Sequence, residues 1–117
     1  MPRNPFARRP KTPAPRAIDP ADALRGSSAG TLALIDVREP DEYAAGRPAG
    51  ARNVPLSTLP AALDKLPPGP VALSCKSGAR SQKAAKLALQ AGRTDIHDVT
   101  GGYLAWEAAG LPTEAGP

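Results

Sequence analysis

Short apolar runs alternate with helix-like segments along most of this chain, and the alternation limits the folds it can adopt. Two runs have the composition of buried strands, namely "TLALID" (31–36) and "VALSC" (71–75), and "DIHDVT" (95–100) is predicted as a third strand. The stretches between them carry helix-start and helix-stop residues. Because parallel strands need a crossover connection, the pattern predicts an open three-layer α/β fold with a mainly parallel central sheet and helices on both faces.

Helix boundaries are predicted from capping residues, prolines and glycines. In the first helix Asp19 caps the start, Pro20 takes the first helical position and Gly26 ends it. Further helical segments are predicted at 39–46, 57–66, 79–92 and 103–110. Ser57 or Thr58 is the predicted cap of the segment 57–66.

The basic charge is concentrated at the amino end. Residues 1–17 hold five basic residues, five prolines and no acid, which predicts a disordered basic arm ahead of one folded domain over 18–114. The remaining chain has 15 − 5 = 10 basic and 11 acidic residues, so the folded body is close to neutral. This balance argues against a nucleic-acid partner for the domain.

A single cysteine limits the chemistry and the compartment. One cysteine excludes an intramolecular disulfide, and one cysteine with one histidine excludes a Cys/His zinc cluster. The apolar runs are far shorter than the ~20 residues of a membrane span, and no secretory signal is recognisable. We therefore expect a cytoplasmic protein with a free thiol, without a cofactor, a metal or a membrane partner.

The cysteine lies where a predicted strand turns into a helix. In open α/β sheets the carboxyl ends of the strands form the functional crevice, and Cys75 ends such a strand. Gly78 permits a strained turn whose N–H groups converge, and the following helix begins with its positive end. Lys76 and Arg80 add two positive charges. Together these features favour a thiolate and an anionic substrate, whereas the simpler alternative is a cysteine that only packs.

Three segments resemble one known family in the correct order. Residues 75–81, "CKSGARS", resemble the active-site loop of rhodanese-type sulfurtransferase domains. "LIDVREPDEYAAG" (34–46) and "DVTGGYLAWEAAGLP" (98–112) are similar to two further segments of that family. The resemblance covers about residues 18–112, and the chain departs from the family pattern at 46–51, "GRPAGA".

The resemblance implies a sulfur transfer in which Cys75 takes the outer sulfur of thiosulfate, or of a related small anionic donor, as a persulfide. The acceptor would be cyanide, a thiol or a protein sulfur acceptor. The substrate-binding residues would be the rest of the loop: Lys76, Ser77, Gly78, Ala79, Arg80 and Ser81. Supporting roles fall to Asp36, Arg38 and Glu42.

Two other functions stay open at this stage. An arsenate reductase or phosphatase-like cysteine enzyme shares this scaffold, but the resemblance associates phosphatases with a loop one residue longer than Cys75–Arg80. A regulatory module without catalysis would have no need of the thiol. Arg80 is expected either to bind substrate or to pair with Glu42 or Asp36, and Trp106 is expected in the core.

Overall fold

The computed structural model describes residues 14–117, and these form a parallel sheet with helices on both faces. The strands are β1 (Arg16–Ile18), β2 (Ala33–Asp36), β3 (Arg47–Pro48), β4 (Arg52–Asn53), β5 (Val71–Ser74), β6 (Ile96–Val99) and β7 (Thr113–Glu114). The α-helices are α1 (Pro20–Ala29), α2 (Pro40–Ala45), α3 (Ala79–Gln90) and α4 (Gly102–Ala108). None of the helices in this part of the chain is long and apolar enough to cross a membrane.

The central sheet has five strands in the order β1-β6-β5-β2-β4, and every pairing in it is parallel. A parallel arrangement brings the carboxyl ends of β2, β5 and β6 to one edge of the sheet. The strands β3 and β7 form a separate antiparallel pair. The predicted fold class is therefore confirmed.

The strands β2, β5 and β6 supply side chains to two apolar cores, one on each face of the sheet. In β2, Ile35 faces the core that α3 covers, whereas Leu34 faces the core that α1 and α4 cover. All four residues of β5 are buried, as expected for a central strand with helices on both sides. Trp106 of α4 is fully buried in the second core, as predicted.

The first helix runs past its predicted end. Gly26 does not stop α1, which continues to Ala29 and ends at Gly30, a residue with a left-handed φ of 75°. A β-carbon at Gly26 would lie only 2.6 Å from the side chain of Leu32, closer than real contacts allow. Gly26 therefore serves close packing rather than chain reversal, so the stop signal was assigned to the wrong glycine.

The predicted helix over 57–66 is also wrong. The segment instead contains two single 3₁₀ turns, Leu56–Thr58 and Leu63–Lys65. The position before a proline disfavours helical backbone, and Leu59, which precedes Pro60, is extended with ψ 148°. The extended backbone at Leu59 therefore interrupts a continuous helix at this point.

The sheet begins inside the segment predicted as an arm. Residues 1–13 of that segment lie outside the described residues. Arg16 and Ala17, however, pair with His97 and Asp98 of β6 and so form the first edge of the sheet. The sequence of Arg16–Ile18 has no apolar alternation and therefore did not predict a strand. This strand forms because β6 offers backbone partners beside it.

Candidate active site

The cysteine loop begins where β5 ends and α3 starts. Cys75 follows β5 directly, is only 1% exposed, and faces the core beneath α3. Gly78 lies at the start of α3 with φ +117°, a backbone conformation that residues other than glycine rarely adopt. Its N–H donates to the Cys75 Sγ atom at 2.9 Å. One of the loop N–H groups that were predicted to converge therefore points at the sulfur.

The start of α4 supports the back of this loop. The N–H of Tyr103 donates to the Cys75 carbonyl at 2.7 Å, and the N–H of Leu104 donates to the Lys76 carbonyl at 3.1 Å. This approach is possible because Gly102 has no side chain, since a β-carbon there would lie 2.5 Å from the Cys75 carbonyl oxygen. The sequence indicated only a turn at this glycine pair and gave no sign of its contact with the cysteine loop.

A hydroxyl and a carboxyl extend from the sulfur in a row. The Ser81 Oγ atom lies 3.4 Å from Cys75 Sγ and 2.5 Å from Asp98 Oδ1. Burial raises the pKa of the Asp98 carboxyl, while its hydrogen bonds from Ser81 and Gln82 oppose that change. Asp98 was missing from the predicted site because only the strand order places β6 beside β5. The available signal was an acid within an otherwise strand-like run.

Arg80 makes a two-pronged ion pair with Glu42 of α2. The guanidinium donates through Nη1 to Oε1 at 2.5 Å and through Nη2 to Oε2 at 2.9 Å. The hydrogen bond from Arg80 is the main cause that lowers the pKa of Glu42 to about 2, and the same contact raises the pKa of Arg80. Of the two acids considered from the sequence, Glu42 is therefore the partner and Asp36 is not.

Asp36 and Arg38 form a second pair at the same sheet edge. The Arg38 side chain donates to both carboxylate oxygens of Asp36, with Nη2 to Oδ2 at 2.7 Å, and its backbone N–H adds a bond at 2.9 Å. Both side chains are buried. Arg38 also donates to the Gly46 carbonyl and stacks on the Tyr103 ring at 4.6 Å. The pair thus connects the turn after β2 to α4.

The remaining loop residues predicted to bind substrate are on the surface. Lys76, Ser77 and Ala79 are exposed. Lys76 borders a groove of about 330 Å³ beside the loop, together with Arg38 and Tyr103. Leu104, 49% exposed, lies at the rim of the same groove. The loop thus has a buried sulfur, and the groove beside it is lined by the acids Glu42 and Glu107 as well as by Lys76 and Arg38.

This combination of sheet edge, cysteine loop and helix start matches a family model. The model of the rhodanese-like domain matches residues 19–109. The chain belongs to the rhodanese-like domain family. The match includes the segments 34–46 and 75–81 and residues 98–109 of the third segment, so the resemblance expected from the sequence is confirmed.

Two relatives of this rhodanese-like domain carry sulfurtransferase names. The chain is 38% identical to thiosulfate sulfurtransferase 16 of Arabidopsis thaliana over 94 residues, 69% of this chain and 78% of that protein. It is 35% identical to a sulfurtransferase of Allochromatium vinosum over 83 residues, 70% of this chain and 78% of that protein. Other relatives are longer, and the matching segment spans about half of them (51%).

A solved structure agrees with the fold. The rhodanese-related protein of Thermoplasma volcanium superposes with a TM-score of 0.76 at 33% identity, and the match covers 85% of this chain and 97% of that one. The likeness agrees with a rhodanese-like fold for this chain.

Proposed function

We propose that this rhodanese-like domain is a cytoplasmic sulfurtransferase that carries sulfane sulfur as a persulfide on Cys75. The observation that carries the proposal is the contact of the Gly78 N–H with Cys75 Sγ at 2.9 Å, in a loop that leads into α3. A backbone donor and the positive end of a helix stabilise a thiolate and, after the transfer, a persulfide anion.

In the first half of the reaction, the Cys75 thiolate attacks the outer sulfur of thiosulfate or of a related donor. A new S–S bond forms on Cys75, the S–S bond of the donor breaks, and sulfite leaves with the bonding electron pair. Because Cys75 is only 1% exposed, the proposal favours a donor that presents a single terminal sulfur atom on a small anion.

In the second half, cyanide or a thiol attacks the outer sulfur of the persulfide. The Cys75 thiolate leaves, and the sulfur departs as thiocyanate or as a new persulfide on the acceptor. The chain has one cysteine, so no internal thiol can discharge the persulfide as a disulfide. An external acceptor, including a thiol on a protein, therefore has to complete the cycle.

The loop residues then divide into two groups. Lys76 is exposed beside the groove, where its charge would attract the oxygens of the donor. Both terminal nitrogens of the Arg80 guanidinium donate to Glu42, so we assign Arg80 to holding the first turn of α3 in place rather than to binding substrate. Asp36 and Arg38 would support the adjacent turn in the same way.

Intact-mass measurement after incubation with thiosulfate tests the proposal. We expect the wild-type chain to gain the mass of one sulfur atom, about 32 Da, and to lose it again on addition of cyanide as thiocyanate appears. Cys75→Ser should show neither the adduct nor thiocyanate formation. Because a serine hydroxyl can use the same hydrogen-bond partners, the Gly78 N–H and Ser81, the variant should stay folded, which its melting temperature checks.

Two results would contradict this function. The first is a folded wild-type chain that stays unmodified with thiosulfate and several other sulfane donors. The second is hydrolysis of an aryl phosphate, dependent on Cys75, at a rate above that of any sulfur transfer, which would favour the phosphatase-like alternative.

A further inference from the structure

The hydroxyl of Ser81 has one proton and three neighbours that compete for it. The Asp98 Oδ1 atom lies at 2.5 Å, the Gly78 carbonyl at 3.0 Å and the Cys75 Sγ atom at 3.4 Å. An ionised carboxylate and a carbonyl can only accept. While Asp98 is ionised, Ser81 therefore gives its proton to an oxygen acceptor and offers the sulfur only lone pairs. That arrangement suits a thiol, which donates to Ser81, and disfavours a thiolate.

A proton on Asp98 reverses the direction of these bonds. A protonated carboxyl donates to Ser81 Oγ, which frees the hydroxyl proton to face the sulfur. The carboxylate and the thiolate are thus poor neighbours across this hydroxyl. Ser81 is fully buried and Cys75 nearly so, so water does not readily take the place of either bond.

Ser81 links the Asp98 carboxyl to one titratable group, the Cys75 thiol. The neighbours of Asp98 across the sheet, Leu73 on β5 and Ala17 on β1, are uncharged. From α3 Asp98 receives hydrogen bonds from Ser81 and Gln82, which are also uncharged. The Asp98 carboxyl is half-buried, and burial favours its protonated form.

We propose that Asp98 is a positioning residue that takes the proton of Cys75 through Ser81 when the thiolate forms and returns it when the thiol forms again. The assignment rests on Cys75 being the nucleophile proposed above, and it adds a second ionisable group to the site. The row Cys75–Ser81–Asp98 would then hold one shared proton at the pH at which the enzyme works.

The transfer balances without any further reactant. The S–H proton of Cys75 moves to Ser81 Oγ as the O–H proton of Ser81 moves to Asp98 Oδ1, which leaves a thiolate, an intact hydroxyl and a neutral carboxyl. In the second half of the cycle Cys75 Sγ is the leaving group, and the hydroxyl of Ser81, itself hydrogen-bonded by the neutral carboxyl, would stabilise the departing thiolate. Two coupled groups of this kind titrate in two macroscopic steps.

Ultraviolet absorbance of the thiolate, recorded against pH, tests the coupling directly. The chain has one cysteine, so the signal of the wild type minus that of Cys75→Ser reports Cys75 alone. We expect the thiolate absorbance to rise in two steps between about pH 4 and pH 10, separated by a plateau. At the plateau Cys75 and Asp98 together hold one proton, which is on the sulfur in some molecules and on the carboxyl in the others. At the plateau, infrared spectra should show the C=O stretch of a protonated carboxyl.

Three variants separate the shared proton from a structural role. Asp98→Asn imitates the neutral carboxyl, so its profile should have one step with a midpoint below the upper step of the wild type, and the infrared band should disappear. Ser81→Ala removes the bridge, and its single step should lie above that of Asp98→Asn. Asp95→Asn, the same change at an exposed position on the loop before β6, should keep both steps.

A wild-type profile with one step overturns the proposal whatever the variants do. Two steps that persist in folded Asp98→Asn, or that also vanish in Asp95→Asn, overturn it as well. The measurement needs no sulfur donor, so a failure of the shared proton can be told apart from a failure of sulfur transfer.

Discussion

Two turns at the same edge of the sheet hold their buried polar groups with different kinds of partner. The turn after β2 is closed by the buried ion pair of Asp36 and Arg38, which use their charges on each other. The turn after β5 holds Cys75 with a backbone N–H and a neutral hydroxyl. The first turn has its hydrogen-bonding capacity filled by charged partners, whereas the second leaves its sulfur without a full countercharge in contact.

The difference shows how one sheet edge can be rigid and reactive at once. Removal of one partner of a buried ion pair strongly destabilises the fold, because the other charge is then left unpaired and without water. A sulfur held by backbone donors keeps its lone pairs available and can exchange substituents. The first turn is thus suited to stability and the second to chemistry, and variants that remove one contact at a time should separate these contributions.

The largest effect on folding is expected at the first turn. Asp36→Asn leaves the Arg38 guanidinium buried without its countercharge, so the free energy of unfolding should fall by about 3–5 kcal/mol in urea denaturation. Asp41→Asn, the same change at an exposed position in α2, should cost less than about 1 kcal/mol. If the two variants are equally stable, the first turn is not held by its ion pair.

A smaller effect is expected behind the second turn. Gly102→Ala places a β-carbon 2.5 Å from the Cys75 carbonyl, at a glycine with φ +59°, and should cost about 2–3 kcal/mol while it also lowers sulfur transfer. Gly110→Ala provides a matched control, since Gly110 has a similar φ of +68° and open space around it. This control should lose about 1 kcal/mol and no activity. Equal losses of activity in both variants would show that contact with the cysteine loop is unimportant.

Glu42 connects α2 to the second turn, and its effect should depend on pH. Because the pKa of Glu42 falls from 4.5 to about 2 on folding, the ion pair stabilises the protein fully above pH 4.5 and loses this contribution as the pH falls through about 2. The pair is partly exposed, so Glu42→Gln should cost only about 1 kcal/mol at pH 7.

Urea denaturation of Glu42→Gln and wild type at a series of pH values checks this prediction. The difference in unfolding free energy should shrink through the acid range and vanish near its lower end. Glu107→Gln, at an exposed position of α4, should differ little from wild type at any pH. A difference for Glu42→Gln that stays constant down to the lowest pH would contradict the ion pair as its cause.

The smallest effect is expected outside both turns. Residues 2–13 contain four basic residues, no acid and no apolar periodicity, so their deletion should leave sulfur transfer within about twofold and hardly change the melting temperature. The deletion stops short of Arg16 because that residue pairs with β6. Loss of activity at saturating thiosulfate would mean that this segment belongs to the site.

The sequence by itself determined the features that depend on local pattern. The segments predicted as strands at 31–36, 71–75 and 95–100 contain β2, β5 and β6, because pairing in the sheet buries their apolar side chains in the two cores and so removes apolar surface from water. The position of Cys75 at a strand end followed from the same pattern. Glycine and proline did not mark the helix boundaries correctly: α1 continues past Gly26, and Pro60 divides a segment that was predicted to be one helix.

Only the tertiary structure decided which distant residues meet at the sulfur. The order of the strands places Asp98 behind Ser81, the approach of α4 requires Gly102, and the position of α2 selects Glu42 for Arg80. These contacts join residues 17 to 38 positions apart in the chain, or depend on the space left by a missing side chain. Local propensities carry no record of such distances, because the partner is fixed by how the layers pack.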